Sequence, residues 1–201
     1  MKIYLIRHGE TVLSCNGLYA DGARLTKRGH RQARALADIL PDFGVNRLIT
    51  SGLRRAFETA RPFQRASGLE VQVVPGLNEI SIGWLREAPI DQLVQRTADG
   101  DWQLFFEEFG GESAAGFSER VRQSFQVMTD YSSEDAVLAA IVHGGVINVI
   151  LDLLNEQLFD GRLRYVLPNG SLTLVEGASG ALKIAFIGAT GHLIGPTAPR
   201  S

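Results

Sequence analysis

The sequence predicts an α/β fold in which a mostly parallel central sheet is flanked by helices. Segments with strand periodicity alternate with segments of helical periodicity along most of the chain, as in proteins with such sheets. The most continuous apolar run, at residues 136–142, is typical of a strand buried on both faces. Hydrophobic residues make up 45% of the 201 residues, which is enough for a substantial core.

The first half of the chain supplies three predicted strands, at residues 3–6, 47–50 and 71–74. Thr26 can cap a helix that ends near Leu40, because apolar residues recur at helical spacing between these positions. A second helix is predicted from about residue 53, and Pro62 is expected to kink or restart it. Its predicted apolar stripe consists of Leu53, Phe57 and Ala60.

The second half predicts the rest of a single domain over residues 1–201. A weaker helical region at about 89–115 is interpreted as an insertion, and a strongly amphipathic helix follows it. That helix is marked by Phe117, Val121, Phe125 and Met128. After the strand at 136–142, Gly144 opens a further helix, and a hairpin at 171–187 ends the sheet.

Charge and cysteine content exclude several classes of function. A net charge of −2 gives no overall field that would attract nucleic acid or an anionic membrane, so neither partner is expected. The single cysteine, Cys15, cannot form an internal disulfide, and this fits a reducing compartment such as the cytoplasm. No apolar run approaches the roughly 20 residues of a membrane span.

Two histidines follow predicted strands directly, His8 after residues 3–6 and His143 after residues 136–142. Ligands of open α/β sheets bind outside the carboxyl ends of the strands, so both histidines can face one crevice. Each precedes a glycine, which would let the backbone approach a ligand closely. The pair therefore indicates a site, although a lone histidine would more often be structural.

Arginines accompany these histidines. Arg7 adjoins His8, and Arg54 and Arg55 follow the strand at residues 47–50. The guanidinium fork matches phosphate oxygens better than the point charge of lysine, which makes phosphate the expected ligand. Arg54 is equally well explained as a solvated helix residue.

The sequence motifs of other phosphate-binding and phosphate-transferring sites are absent from the chain. The chain has no GxxxxGK[ST] loop, no HExxH helix and no pair of closely spaced cysteines, so neither a metal nor a cofactor is predicted. Cys15 has Asp21, not arginine, six positions on, and is therefore not expected to be a nucleophile.

An ordered set of motifs resembles the histidine phosphatase superfamily, also called the phosphoglycerate mutase-like family. LIRHGET at 5–11 is similar to its signature, and SGLRRAFETA at 51–60 is similar to its second arginine motif. LNEISIG at 77–83, GGES at 110–113, IVHGGVI at 141–147 and the closing PNGSLTLVE and GHL resemble further family segments in the expected order. The resemblance implies a three-layer, phosphoglycerate mutase-like sandwich.

The resemblance also implies a mechanism and a small phosphorylated substrate. His8 attacks phosphorus and becomes phosphohistidine, and Glu79 is the general acid for the leaving oxygen. The phosphoryl group is bound by Arg7, Asn16, Arg55, His143 and Gly144. His143 is expected to be protonated when phosphate is bound. Glu112 has a weaker claim to catalysis and otherwise caps the helix that follows it.

Two stretches depart from the family pattern and leave the substrate open. Residues 17–26 lack the usual GRxQG and have arginine where a proline commonly precedes Leu-Thr, and the segment after Gly83 is WLRE instead of EWEG. Residues there that could set specificity, or could be ordinary loop residues, are Leu18, Tyr19, Arg24, Trp84 and Arg86.

A phosphatase is the favoured function, and two alternatives remain. Phosphoglycerate mutases of the family generally have a longer chain with an enclosing insertion, so the compact chain favours hydrolysis over mutase activity. A module that binds a phospho-ligand without catalysis is the other alternative. A homodimer is compatible with the sequence but is not indicated by it.

Overall fold

A six-stranded sheet forms the centre of the molecule, with strand order β3-β2-β4-β1-β5-β6. The computed structural model describes residues 1–12, 22–83, 107, 109–130 and 132–193, so most of the predicted insertion at 89–115 lies outside the described residues. The strands are β1 Lys2–Arg7, β2 Arg47–Thr50, β3 Val71–Val73, β4 Val137–Val142, β5 Leu172–Glu176 and β6 Lys183–Ala189. The first four are parallel, whereas β5 is antiparallel to both β1 and β6.

Helices cover both faces of the sheet. They are α1 Lys27–Ile39, α2 Arg54–Ser67, α3 Ala114–Asp130 and α4 Gly144–Leu154. Alternate side chains of a strand point to opposite faces: Tyr4 and Ile6 pack with α1 and α2, whereas Ile3 and Leu5 pack with α3 and α4. This arrangement confirms the predicted three-layer α/β fold, with β4 buried inside the sheet.

Helix α1 follows its sequence prediction closely. Thr26 Oγ1 accepts a hydrogen bond of 3.0 Å from the Gly29 amide and so caps the first turn. After α1 comes a 3-10 turn, Leu40–Phe43, and Gly44 adopts φ 70°, a conformation that glycine reaches without steric cost.

Helix α2 differs from its prediction in two ways. Phe57 is 41% exposed, so the predicted stripe is wrong. The buried residues are Arg55, Ala56, Thr59, Ala60 and Phe63. Two of these buried residues, Arg55 and Thr59, are polar. A search for apolar residues at helical spacing therefore does not detect this face. The predicted restart at Pro62 is wrong, since one helix continues to Ser67; proline removes one donor without preventing the later turns. The alternative of a kink stays a prediction.

The parallel strands β2, β4 and β1 are neighbours and end at one edge of the sheet. The residues that follow them are Ser51, His143 and His8. This edge is where open α/β sheets bind ligands. Among the described residues, no helix has both the length and the apolar character needed to cross a membrane.

Candidate active site

His8 lies at the end of β1 and is 7% exposed. Its Nδ1 is 2.8 Å from the carbonyl oxygen of Gly9. Because a carbonyl oxygen can only accept, Nδ1 carries the ring proton and donates it. In the neutral ring, Nε2 then has a free lone pair, as a nucleophile requires.

The backbone around His8 is fixed by the turn before β5. The Gly170 amide donates to the carbonyls of Arg7 and His8 at 3.0 and 3.1 Å, and Asn169 Nδ2 also donates to the His8 carbonyl. His192 Nε2 donates to the Gly170 carbonyl at 2.9 Å, so this histidine has a structural role. The backbone of His8 is therefore held by contacts from the far end of the chain.

Close packing against α1 fixes the loop from its other side. A Cβ at Gly9 would lie 2.7 Å from the Gly29 carbonyl oxygen, and one at Gly29 would lie 2.1 Å from the Glu10 carbonyl oxygen. Gly9 thus gives close approach to a helix, whereas the sequence suggested close approach to a ligand. The Glu10 carboxylate also accepts a hydrogen bond from Thr26 Oγ1 at 2.7 Å, which ties the loop to the start of α1.

His143, at the end of β4, is fully buried, and its ring centroid lies 5.2 Å from that of His8. Its Nε2 is 2.7 Å from Ser51 Oγ, which also accepts a hydrogen bond from the Leu53 amide. Its Nδ1 has no hydrogen-bond partner in the part of the chain that the structure describes. Ser51 thus anchors one nitrogen of the ring and leaves the other available.

Two arginines complete the cluster. Arg7 Nη1 donates to the Leu167 carbonyl, and its buried Nε has no partner among the described residues. A Cβ at Gly144 would lie 3.6 Å from this Nε, which places Arg7 beside the start of α4. Arg55 is 7% exposed, and its helix is tied to the nucleophile loop because Thr59 Oγ1 accepts from the Gly9 amide and donates to the Arg55 carbonyl.

The surroundings keep both histidines neutral near pH 7. Burial, the Arg55 charge and the Arg7 charge lower the pKa of His8 to about 3, against the partial opposition of the Gly9 carbonyl. Burial, followed by the charge of Arg55, also holds the pKa of His143 well below its ordinary value. An anion bound between the rings would oppose these effects, because negative charge stabilises an imidazolium.

Glu79 reaches the cluster from the connection that follows β3. Its Oε2 accepts a hydrogen bond of 3.0 Å from the Gly145 amide, and its Oε1 accepts from the Ile80 amide at 3.1 Å. The carboxylate therefore sits against the first turn of α4, one residue from Gly144. It also borders a cavity of about 500 Å³.

Glu112 also lines this cavity, but it does not cap α3 as the sequence suggested. Its two carboxylate oxygens accept from Arg120 Nε and Nη2 at 2.8 and 2.6 Å. The cap is Ser113, whose Oγ accepts from the Gly116 amide at 2.9 Å. Ser113 directly precedes the first residue of α3, Ala114, and therefore occupies the capping position that Glu112 misses by one residue.

Several other predicted residues lie away from the cluster or outside the described chain. Arg54 is an exposed residue that pairs with Glu58 at 2.7 Å, and Arg24 is also exposed. Residues outside the described part are Cys15, Asn16, Leu18, Tyr19, Trp84 and Arg86. Among the described residues, no group of three or more His, Cys, Asp or Glu could hold a metal ion.

The sequence reasoning missed Ser51, Thr59 and Arg120 as parts of the site. Ser51 lies in the quoted arginine motif and directly follows a strand, so the signal that identified the histidines could also have identified it. Thr59 and Arg120 act through backbone carbonyls and amides far away in sequence. Neither position carries a signal in a single sequence.

Comparison with known proteins gives the family. A family model described as "Histidine phosphatase superfamily (branch 1)" matches residues 3–190. The "Adenosylcobalamin/alpha-ribazole phosphatase" of Escherichia coli K12 is 32% identical over 159 residues, covering 75% of this chain and 77% of that protein. The "Probable phosphoglycerate mutase GpmB" of Serratia proteamaculans is 31% identical over 192 residues, covering 88% of this chain and 85% of that protein.

Solved structures agree. The alpha-ribazole phosphatase of Shigella flexneri superposes with a TM-score of 0.83 at 26% identity, covering 94% of this chain and 96% of that one. Bacillus stearothermophilus YhfR shares the fold with a TM-score of 0.85 at 23% identity, covering 96% of this chain and 98% of that one. The chain belongs to the histidine phosphatase superfamily. The predicted family and fold are confirmed, and the relatives support the predicted class of enzyme, a phosphatase.

Proposed function

We propose that the protein hydrolyses phosphomonoesters without a metal ion, through a phosphohistidine formed on Nε2 of His8. The observation that carries this proposal is the pair of buried imidazoles 5.2 Å apart at one sheet edge, with Arg7 and Arg55 beside them. Substrates related to the name of the Escherichia coli relative, such as the phosphate ester of α-ribazole, are the first to test.

In the first step, the Nε2 lone pair of His8 forms a bond to phosphorus while the bond to the ester oxygen breaks. The Nδ1 proton, donated to the Gly9 carbonyl, orients this lone pair outward. Arg7 Nε, Arg55 and His143 Nδ1 face the three equatorial oxygens, where negative charge accumulates. Ser51 Oγ can donate to Nε2 of His143 while it accepts from Leu53, and this places the ring proton of His143 on Nδ1.

Glu79 in its protonated form gives its proton to the departing oxygen and becomes the carboxylate, so the alcohol leaves neutral. In the second step, the Glu79 carboxylate accepts a proton from water as that water attacks phosphorus. The bond from nitrogen to phosphorus breaks, inorganic phosphate leaves, and both side chains return to their starting states. His143 takes up a proton when the anion binds, because the anion opposes the charge of Arg55.

Trapping of the intermediate tests the proposal. The protein is mixed with a labelled phosphomonoester in EDTA, quenched in alkali, and compared with His8→Ala. We expect an alkali-stable, acid-labile label on the wild type only, and a loss of turnover of at least about 10⁴-fold in His8→Ala. Equal labelling of His8→Ala would contradict the nucleophile, and turnover that requires an added divalent ion would contradict metal independence.

The mutase alternative is favoured by the name of the Serratia proteamaculans relative. It makes a different prediction for the same phosphoenzyme. A mutase would be primed by 2,3-bisphosphoglycerate and would isomerise 3-phosphoglycerate, whereas a phosphatase would release inorganic phosphate from it. Product analysis by phosphorus NMR separates the two, and net isomerisation would overturn hydrolysis as the main activity.

A further inference from the structure

Arg120, on α3, connects two segments that meet beside Glu79. Its Nε and Nη2 donate to both carboxylate oxygens of Glu112. Its remaining terminal nitrogen, Nη1, donates to the carbonyls of Gly76 and Asn78 at 2.8 and 3.0 Å. One guanidinium therefore makes four hydrogen bonds, two of them to the short backbone stretch that leads into Glu79.

That stretch is also held by Leu77, which is 1% exposed, and by the amides of Leu77 and Asn78, which donate to the carbonyls of Val74 and Pro75. Asn78 directly precedes Glu79, and its Oδ1 accepts a hydrogen bond of 2.7 Å from the Gly52 amide. The Glu79 carboxylate reaches the Gly145 amide on the far side. Without Arg120, the backbone at Gly76 and Asn78 would lose two hydrogen bonds from a charged donor, which are about twice as strong as neutral ones.

The guanidinium itself is held in one orientation. Glu112 binds it through two parallel hydrogen bonds, and its Cζ lies 5.2 Å from the centre of the Phe117 ring. The planar fork is what allows one side chain to serve a carboxylate and two carbonyls together; lysine has no such geometry. Arg120 and Glu112 both line the cavity that borders Glu79.

We propose that Arg120 is a positioning residue that fixes the backbone of Glu79, so that its carboxyl group can deliver a proton to the leaving oxygen. The proposal rests on the function proposed above, in which Glu79 is the general acid. A fixed acid matters most when the leaving alcohol is a poor leaving group, and matters little when it departs readily as an anion.

The test compares Arg120→Met with wild type on p-nitrophenyl phosphate and on a simple alkyl phosphate. We expect kcat/KM, which reports the steps up to formation of the phosphoenzyme, to fall about 30-fold for the alkyl ester and less than about 3-fold for the nitrophenyl ester. The same folded molecules turn over both substrates, so the ratio of the two kcat/KM values does not depend on how much of the variant is folded. Arg120→Lys should recover only a small part of the ratio.

Arg122→Met is the matched control, because Arg122 lies on the same helix and pairs with Glu119 at the surface. Its ratio should equal that of wild type; a shift as large as that of Arg120→Met would overturn the proposal.

Glu79→Gln distinguishes the positioning role of Arg120 from the general-acid role of Glu79. If it loses alkyl turnover selectively while Arg120→Met does not, the positioning role is wrong and the proposed function stands. If Glu79→Gln shows no selective loss, the acid assignment and the positioning role are both wrong.

Discussion

The two sides of the candidate site are built differently. On the phosphoryl side, His8, His143 and Ser51 directly follow parallel strands, and their positions are set by the sheet. On the leaving-group side, Glu79 comes from a connection and depends on contacts with α3 and α4. The proposed phosphoryl contacts are therefore fixed mainly by the sheet, whereas the proposed proton delivery depends on contacts with two helices.

The largest expected effect is on the phosphoryl side. Arg55→Met removes a buried charge beside both histidines, and we expect kcat to fall about 10³-fold on every phosphomonoester. Because Arg55 is proposed to contact the phosphoryl group and not the alcohol, the ratio between alkyl and nitrophenyl esters should not change. Arg54→Met, at the exposed neighbouring position, is the control and should retain wild-type kcat. A loss confined to alkyl esters would contradict the division into two sides.

An intermediate effect is expected on the leaving-group side. A Cβ at Gly145 would lie 2.2 Å from Glu79 Oε1, so Gly145→Ala should displace the carboxylate, which is the mobile end of a side chain. We expect kcat/KM for alkyl esters to fall about 30-fold and kcat/KM for nitrophenyl esters to change little, with little loss of thermal stability. Gly191→Ala, where a Cβ would meet nothing within 4 Å, is the control. Equal losses on both esters would show that the substitution damages the phosphoryl side instead.

The smallest expected effect is on stability and concerns the histidines. The pKa of His8 is held at about 3, against an ordinary 6.5, so between these pH values the unfolded chain binds a proton that the folded site does not. Stability therefore falls as pH decreases through 6.5. We expect this histidine alone to remove about 1 kcal/mol between pH 7 and pH 5.5.

Urea unfolding at the two pH values measures this effect. His8→Gln should lose less stability than wild type on acidification, because glutamine does not titrate. His30→Gln, at an exposed position on α1, should behave as wild type does. Added inorganic phosphate should reduce the loss, since an anion between the rings favours their protonation. Identical pH dependence in wild type and His8→Gln would refute the linkage.

The sequence predicted one side of the site much better than the other. Strand ends are visible as apolar runs that stop at a polar residue, so His8 and His143 could be placed at one sheet edge before any coordinates. Glu79 could be named only through family resemblance. Its support from Arg120 was not predicted, because a hydrogen bond between a side chain and a distant carbonyl leaves no periodic signal.

Helix α2 shows why pattern reasoning fails next to a site. Its buried face includes Arg55 and Thr59, which are polar because they serve the cluster, so apolar spacing alone selected Phe57 wrongly. The roles proposed for Asn16 and for the specificity residues stay predictions, because most of those residues lie outside the described part of the chain.

The antiparallel direction of β5 brings a further segment of the chain to the edge of the sheet that carries His8. Leu172 at the start of β5 pairs with Ile6 near the end of β1. The turn that leads into β5 therefore lies at this edge, whereas a parallel strand would have its preceding turn at the opposite edge. Asn169 and Gly170 in this turn donate hydrogen bonds to the backbone carbonyl of His8 and contribute no reactive group. Changes within this turn are therefore expected to misplace the His8 backbone, although no residue of the turn takes part in the proposed chemistry.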